Sequence, residues 1–333
     1  QRLKLLANLD ISEKRLPQDG RFQVRVRDRT IDVRMSTMPL AHGEAVVMRL
    51  LDQSAGVQRL DELGMPEDLL RRFRGLLSHP HGMVLVTGPT GSGKTTTLYA
   101  ALKELNQAEK KVITIEDPVE YRLGRLNQVQ VNPKIGLDFA SVLRSALRQD
   151  PDIILVGEMR DRETVEIGLR AAMTGHLMLS TLHTNNAVST AVRLLDMGAQ
   201  GYLVAGSLLG ILAQRLIRKV CDQCGAPRDP EPGERAMLRA VMPAGVPAGT
   251  TFKRGAGCPR CHNTGYRGRI GVFALLEIDD LLAEALRQSD SSAFLRAAAA
   301  GGRLKPLVHR AAEYAVAGLT SLEEVQRLAG EVN

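Results

Sequence analysis

The chain has 333 residues, 44% hydrophobic and 24% charged, the balance of an ordinary globular protein with room for two or three domains. No window approaches roughly eighteen uninterrupted apolar residues, and the start lacks the charged-then-apolar order of a secretory leader, so a cytosolic protein is expected. The formal charge of +7 raises nucleic acid or an acidic membrane as partners, yet with no Trp and 3% aromatic residues the chain lacks the rings on which single strands stack. Arginines at subunit interfaces and beside phosphates account for the excess equally well. The first residue is Gln1 rather than Met, so the natural N-terminus is read as trimmed or lying upstream.

Residues 3–9 read as a short apolar helix. From Gly20 to Ser36 the sequence alternates, with Phe22, Val24 and Val26 on one face and Gln23, Arg25 and Arg27 on the other. Ile31, Val33 and Met35 resume the alternation after a turn at Asp28-Arg29, which makes a hairpin with one buried face. A third strand runs from Ala45 to Leu51, and residues 1–55 form a small α/β domain. Taken singly, its outward arginines are solvated strand faces. A connector over 56–66 leads to an amphipathic helix, Glu67 to Leu77, with Leu69, Leu70, Phe73, Leu76 and Leu77 on one side.

The next segment is Gly88-Pro89-Thr90-Gly91-Ser92-Gly93-Lys94-Thr95, which fits G-x-x-x-x-G-K-[ST] at every fixed position. The apolar run Met83 to Val86 leads in, and helical spacing of Leu98, Ala101, Leu102 and Leu105 leads out. Strand, glycine turn and helix together make a phosphate cradle. Backbone N–H groups of Gly88 to Thr96 face the oxyanions, Lys94 neutralises the outer phosphates and the Thr95 hydroxyl holds Mg²⁺.

Beyond this helix, strands and helices alternate as in a parallel sheet covered on both faces. Val112 to Ile115, Ile153 to Val156 and Leu177 to Ser180 are buried strands; Leu137 to Arg148 is a helix; Asp161 caps a helix that ends at Gly175, and Thr184 caps the next. Ligands of such sheets sit beyond the carboxyl ends of the strands. Glu116, Asp117, Glu158 and His183 all fall just past such ends. Cleaving a phosphoanhydride requires a water-positioning carboxylate and a second acid for the metal's hydrated shell, and which of Glu116, Glu120 and Glu158 activates water stays open. His183, between Thr181 and Thr184, is placed to sense a terminal phosphate. For His176, packing and function are level.

Cys221-x-x-Cys224 and Cys258-x-x-Cys261, separated by 33 residues, use every cysteine in the chain. Two such pairs supply four thiolates in a tetrahedron, so a closed, structural zinc site is expected, with redox dithiols as the alternative. The segment between them is proline-rich, with a short helix around Glu234 to Val241. From Gly271 onward the chain reads as helical, and Thr320-Ser321-Leu322-Glu323 opens the last helix as a capping box.

Together these residues resemble one family closely: the assembly ATPases of type II secretion and type IV pilus systems, within the secretion ATPase superfamily. Gly88 to Thr95 resembles its Walker A loop, Ile115 to Tyr121 its Asp box, Arg148 to Asp152 through Glu158 to Asp161 its Walker B region, and Thr174 to His176 through His183 to Asn185 its His box. The cysteine knuckles and Gly265-Tyr266-Arg267-Gly268-Arg269 are similar to the extending or exporting branch and are not expected in retraction motors.

The resemblance implies an α/β protein with a small N-terminal α/β domain over 1–55, a linker over 56–66 and a RecA-like P-loop ATPase core over 67–216. A tetracysteine subdomain over 217–270 and a helical C-terminal region over 271–333 complete it. It further implies a homohexamer that hydrolyses ATP with Mg²⁺ and carries Zn²⁺, a protein-secreting ATPase in the cytoplasm, peripheral to the inner membrane. Its partners would be inner-membrane platform and cytoplasmic-ring proteins, with indirect membrane contact and no nucleic acid. In that family the small domain supplies arginines to the nucleotide, and Arg34 and Arg49 match this pattern. The family's additional N-terminal domain is missing from the chain, and type II secretion and pilus branches are not separated. Two rival readings remain: a nucleic-acid translocase of the conjugation type, and a scaffold that binds ATP without turnover.

Overall fold

Short apolar runs that alternate with amphipathic helices can bury both faces only inside a parallel sheet, and the computed structural model has this layering. It describes residues 1–52, 56–300 and 304–332. They divide into two units: residues 1–57 with 120–122, and residues 58–119 with 123–333. The predicted end of the first domain, residue 55, and the final residue 333 lie outside the described residues.

The first unit holds α1 (Arg2–Leu6) and an antiparallel sheet of β1 (Gln18–Val26), β2 (Arg29–Leu40) and β3 (Gly43–Asp52) in that order. The hairpin forms as the alternation predicts, but its turn falls on Arg27 and Asp28, one residue early, with Arg27 at φ 55°. Val33, Met35 and Thr37 of the central strand are buried, whereas Val47 and Leu50 of β3 are 69% and 66% exposed. In register, Arg21, Arg34 and Arg49 stand abreast across the three strands. Like charges so placed repel. Asp32, fully buried on β2, accepts from Arg21 at 2.7–2.8 Å and offsets part of that repulsion.

In the second unit α2 (Glu67–Leu77) buries the five apolar residues expected of it. The strand elements that follow are β4 (Gly82–Thr87), β5 (Val112–Glu116), β6 (Asn127–Gln130), β7 (Ile153–Val156), β8 (Leu177–Leu182), β9 (Leu208–Val220) and, later, β12 (Tyr266–Glu277). They make a seven-stranded sheet in the order β12-β9-β4-β8-β7-β5-β6, parallel except where β12 runs antiparallel to β9. This is the RecA-like α/β arrangement expected. Helices α3 (Lys94–Leu105), α4 (Phe139–Ala146), α5 (Arg162–Met173), α6 (Ala187–Asp196) and α7 (Gly201–Ser207) cover it. Alternation along β4 sorts the core. Met83 and Leu85 join Leu143, Leu169 and Leu203 on one face, while Val84 and Val86 join Phe73, Leu98 and Leu102 on the other.

The sheet reaches farther than the sequence boundaries allowed. The divisions placed at 216/217 and 270/271 fall inside β9 and β12, so the chain beyond Gly271 is first a strand, and helices begin only with α9 (Asp280–Arg287). The reason is pairing: an unbroken ladder from Arg269–Arg218 to Glu277–Gly210 holds β12 on the sheet edge. Between these strands lies the insert with β10 (Gly225–Arg228), α8 (Pro232–Val241) and β11 (Phe252–Gly255). Helices α10 (Ser291–Ala300), α11 (Leu307–Val316) and α12 (Leu322–Val332) follow. The cap of α6 also differs from expectation: Asn186 accepts from the Ser189 N–H at 2.8 Å, while Thr184 is drawn into hydroxyl contacts with Thr87 and Thr190. Asp161 caps α5 as predicted, accepting from the Thr164 N–H at 2.8 Å. Among the described residues no helix is long and apolar enough to cross a membrane.

Candidate functional site

At the carboxyl end of β4 the chain turns through Gly88, Gly91 and Gly93, with φ of 151°, 82° and 90°. Only glycine holds such angles without strain. A Cβ at Gly88 would also stand 2.4 Å from the Gln214 carbonyl oxygen. The loop therefore closes tightly, and α3 starts at Lys94 with its first N–H groups toward the loop. Thr90, Gly91, Thr95 and Thr96 are exposed at this mouth.

Lys94 is 9% exposed, and its ammonium donates to the loop's own Gly88 and Pro89 carbonyls at 2.7 and 3.2 Å. Burial lowers its pKa to about 8; the Glu158 carboxylate opposes that shift and the Arg215 cation adds to it. Lys94 is thus a cation held at a cost.

Glu158 follows β7, and its position is fixed through the backbone. The Gly157 N–H donates to the Ile115 carbonyl at 2.7 Å, the Met159 N–H to the Thr181 carbonyl at 3.2 Å, and the Thr181 hydroxyl to the Gly157 carbonyl at 2.7 Å. These bonds hold the ends of β5, β7 and β8 together. The Glu158 side chain, 12% exposed, pairs with Arg160 and lies 3.5 Å from Nε2 of His183. Burial first, then the Lys94 charge, lower the His183 pKa below its ordinary value, against the pull of Glu158. The neutral imidazole is thus favoured. Lys94, Glu158 and His183 thereby meet at adjacent strand ends, as the sequence predicts.

Glu116 differs from Glu158. It is 4% exposed, and its carboxylate accepts from the hydroxyls of Tyr99 and Thr114 and from Gln128 Nε2 at 3.3 Å. A carboxylate so saturated is held in one orientation. Sequence reading missed these three donors: Gln128 sits on β6, too short and polar to read as a strand, and Tyr99 and Thr114 reach Glu116 only through the packing of α3 and β5.

It also missed Gln214 and Arg215, two polar residues inside the apolar run Leu208 to Ile217 of β9. The Gln214 amide donates to the Ser92 carbonyl at 2.8 Å and accepts from the Thr97 hydroxyl at 2.7 Å, bracing the loop from behind. Polar side chains inside the run Leu208 to Ile217 were the available signal. A cleft of about 630 Å³ opens beside the loop, walled by Pro89 to Ser92, Asn185, Arg215, Arg218, Arg269 and Arg327.

Arg34 and Arg49 belong to the other unit. The Arg34 guanidinium is engaged by Glu120, also of that unit, in a two-pronged pair at 3.0 and 2.6 Å. Arg49, opposite Arg34 on the exposed β3, faces water.

The four cysteines come together as predicted. Their sulfurs lie within 4.8 Å of one another, with Cys221–Cys258 at 3.9 Å, and Cys224–Cys261 and Cys258–Cys261 at 3.7 Å. A tetrahedron with metal–sulfur bonds of about 2.3 Å has edges of about 3.8 Å, so the set fits a four-thiolate site. Backbone N–H groups of Cys258 and Gly265 point at the Cys261 sulfur at 3.2 and 3.3 Å. Burial raises its pKa, but these donors outweigh it and favour the thiolate.

The sequence pattern of the family described as type II/IV secretion system protein matches residues 1–327. The type II secretion system protein HxcR of Pseudomonas aeruginosa is 49% identical over 327 residues, covering 98% of this chain and 65% of that protein. The type II secretion system ATPase E of Vibrio cholerae serotype O1 is 46% identical over 334 residues, covering 99% and 65%. The chain thus spans 65% of the length of these relatives. Among solved structures, the pilus retraction motor PilT with bound ADP is similar with a TM-score of 0.66 at 28% identity, covering 98% of this chain and 80% of that one. The ATPase DotB of Yersinia pseudotuberculosis shares the fold, with a TM-score of 0.71 at 20% identity, covering 99% and 81%.

Proposed function

Because the chain belongs to the type II/IV secretion system protein family, we propose that it is the motor portion of a hexameric ATPase that powers type II secretion or assembly of a related pilus. The observation that carries this reading is the meeting of Lys94, Glu158 and His183 at the mouth of the glycine loop. Two pieces of the geometry give it mechanism. A buried ammonium that rests on its own loop carbonyls is free to turn to a phosphate, and a largely buried carboxylate beside an imidazole is placed to orient water.

In this reading, Gly88 to Thr96 wrap the phosphates, Lys94 neutralises the outer ones and the Thr95 hydroxyl is a Mg²⁺ ligand. The metal would supply charge neutralisation of the phosphate oxygens. Glu158 positions the attacking water, since its carboxylate has fewer donors around it than that of Glu116, which serves to order the neighbouring loop. His183 reports on the terminal phosphate through Glu158. Arg34 and Arg49 serve as cations for the transferring phosphoryl group, which requires Arg34 to leave Glu120. Cys221, Cys224, Cys258 and Cys261 hold a structural zinc with no open position. The subunits act at the cytoplasmic face of the inner membrane through platform and cytoplasmic-ring proteins. Phosphate release by the assembled protein, compared with its Glu158→Gln variant, is the test, and equal rates in the two would refute the assignment.

A further inference from the structure

Four arginines wall the cleft beside the phosphate loop, and they are not alike. Arg218 and Arg327 share the carboxylate of Glu324, and Arg218 also stacks over Tyr266 at 4.0 Å. Arg269 is exposed to water. Arg215 has neither relief. It is 3% exposed, and its Nη1 and Nη2 donate to the Gln214 and Asn185 carbonyls at 3.0 and 2.8 Å. Among the described residues no carboxylate is in ion-pair contact with it: Glu331, on the same cleft wall, attracts it from a distance and is itself paired with Arg327. Its Nε, buried, has no partner among the described residues, and the same holds for the hydroxyl of Ser92 in the loop. Both groups crowd Gly88, whose missing Cβ would stand 2.6 Å from the Ser92 oxygen and 3.1 Å from Nη1.

A buried cation with no carboxylate in direct contact is unfavourable, and an orphaned buried donor adds to the cost. Such a group persists where binding offsets what folding does not. We propose that Arg215 is a positioning residue for the polyphosphate of a nucleoside triphosphate: a buried cation beside the loop, with no ion pair of its own, that draws the anion in and is anchored on Asn185. This rests on the phosphate-loop reading above and deepens it. Two features give Arg215 that reach. Its charge is felt at Lys94, where it disfavours the second ammonium until an anion neutralises both. Its Nη2 is bonded two residues past His183, so displacement of the loop on filling is transmitted to the histidine at the β8 end. Gln214, one residue earlier, bonds the loop itself, so a single pair of β9 residues spans loop and sensor.

The test compares wild type, Arg215→Gln and Arg215→Lys in equilibrium binding of ATP with Mg²⁺, in steady-state hydrolysis, and in melting with and without ATP. Arg215→Gln is expected to weaken ATP binding about tenfold or more and to raise KM more than it lowers kcat. Arg215→Lys should recover part of the affinity, because the charge returns without the second donor. The rise in melting temperature on adding ATP should shrink in the same order. A purely structural arginine would instead lower the melting temperature without ATP and leave affinity alone. ATP affinity within twofold of wild type in a folded Arg215→Gln protein overturns the proposal. Should that variant not fold, unchanged affinity in Arg215→Lys does so. Failure of the wild type itself to bind ATP refutes the phosphate-loop reading instead, and the two failures are told apart by that control.

Discussion

The phosphate loop and the cysteine knuckles are both small sites built at the ends of strands, yet they treat charge in opposite ways. The knuckles gather four sulfurs, all within 4.8 Å, into a set with no room for a further ligand. The loop leaves its cations without an ion pair among the described residues: Lys94 sits at a pKa of about 8, and Arg215 is buried with no carboxylate in direct contact. On the proposed reading, one site would be complete once a metal is in, and its role would be to hold shape. The other is incomplete until an anion comes and goes, which is what turnover requires.

The largest break in that comparison should come from the open site. Lys94→Ala is expected to abolish hydrolysis and weaken ATP binding, whereas Glu158→Gln keeps binding and loses turnover by about a hundredfold or more. Radiometric binding and phosphate release on the same preparations separate the two. Equal loss of affinity in both variants would mean that Glu158 belongs to the binding surface and not to the chemical step.

At the closed site the effect should be on stability alone. One zinc per chain is expected by metal analysis of protein purified without added zinc. Cys221→Ser should lower the melting temperature by roughly 5–10 °C while leaving KM for ATP in place. An empty site bridged by a disulfide would leave the knuckles as redox thiols.

The two sites also differed in how far sequence revealed them. Both C-x-x-C pairs and the loop from Gly88 to Thr95 are local patterns, and spacing alone exposes them. Glu158 and His183 were legible because each follows an apolar strand of the parallel sheet. Gln214 and Arg215 were not, since Gln214 reaches Ser92 from 122 residues away and only the pairing of β9 with β4 brings it there. A second long-range pairing, of β12 with β9, hid β12, whose final residues resemble the start of a helical region until that ladder is seen. Long-range register, which no local period carries, separates what was read from what was missed.

A smaller effect, of about tenfold or more on turnover, is expected on replacing Arg34 and Arg49 with Ala, with affinity and folding far less changed. Lys at either position should not rescue, because the ammonium lacks the planar fork. Arg34→Ala also removes the ion pair to Glu120, so Glu120→Gln is the control for that loss. Full turnover in the double Ala variant would return both arginines to the solvated faces of their strands.

The finest test of the open site is its pH dependence. The Lys94 pKa is about 8 in the folded protein against 10.5 for the free side chain. Below pH 8 both states carry the proton and the burial penalty on folding is full. Between 8 and 10.5 the unfolded chain binds more protons than the folded one, so the Lys94 contribution to stability rises with pH over that window. ATP affinity must move the other way. A phosphate against the ammonium favours the charged form, so binding above pH 8 takes up a proton, and affinity should fall by up to about tenfold per pH unit there. The terminal phosphate is already ionised far above its second pKa of about 6, so it does not contribute to the trend. Calorimetry in buffers of different ionisation enthalpy should register this uptake above pH 8 and much less at pH 7, where Lys94 is already protonated. A flat affinity from pH 7 to 9 would mean that the ammonium does not face the phosphates, and the open site would lose its central cation.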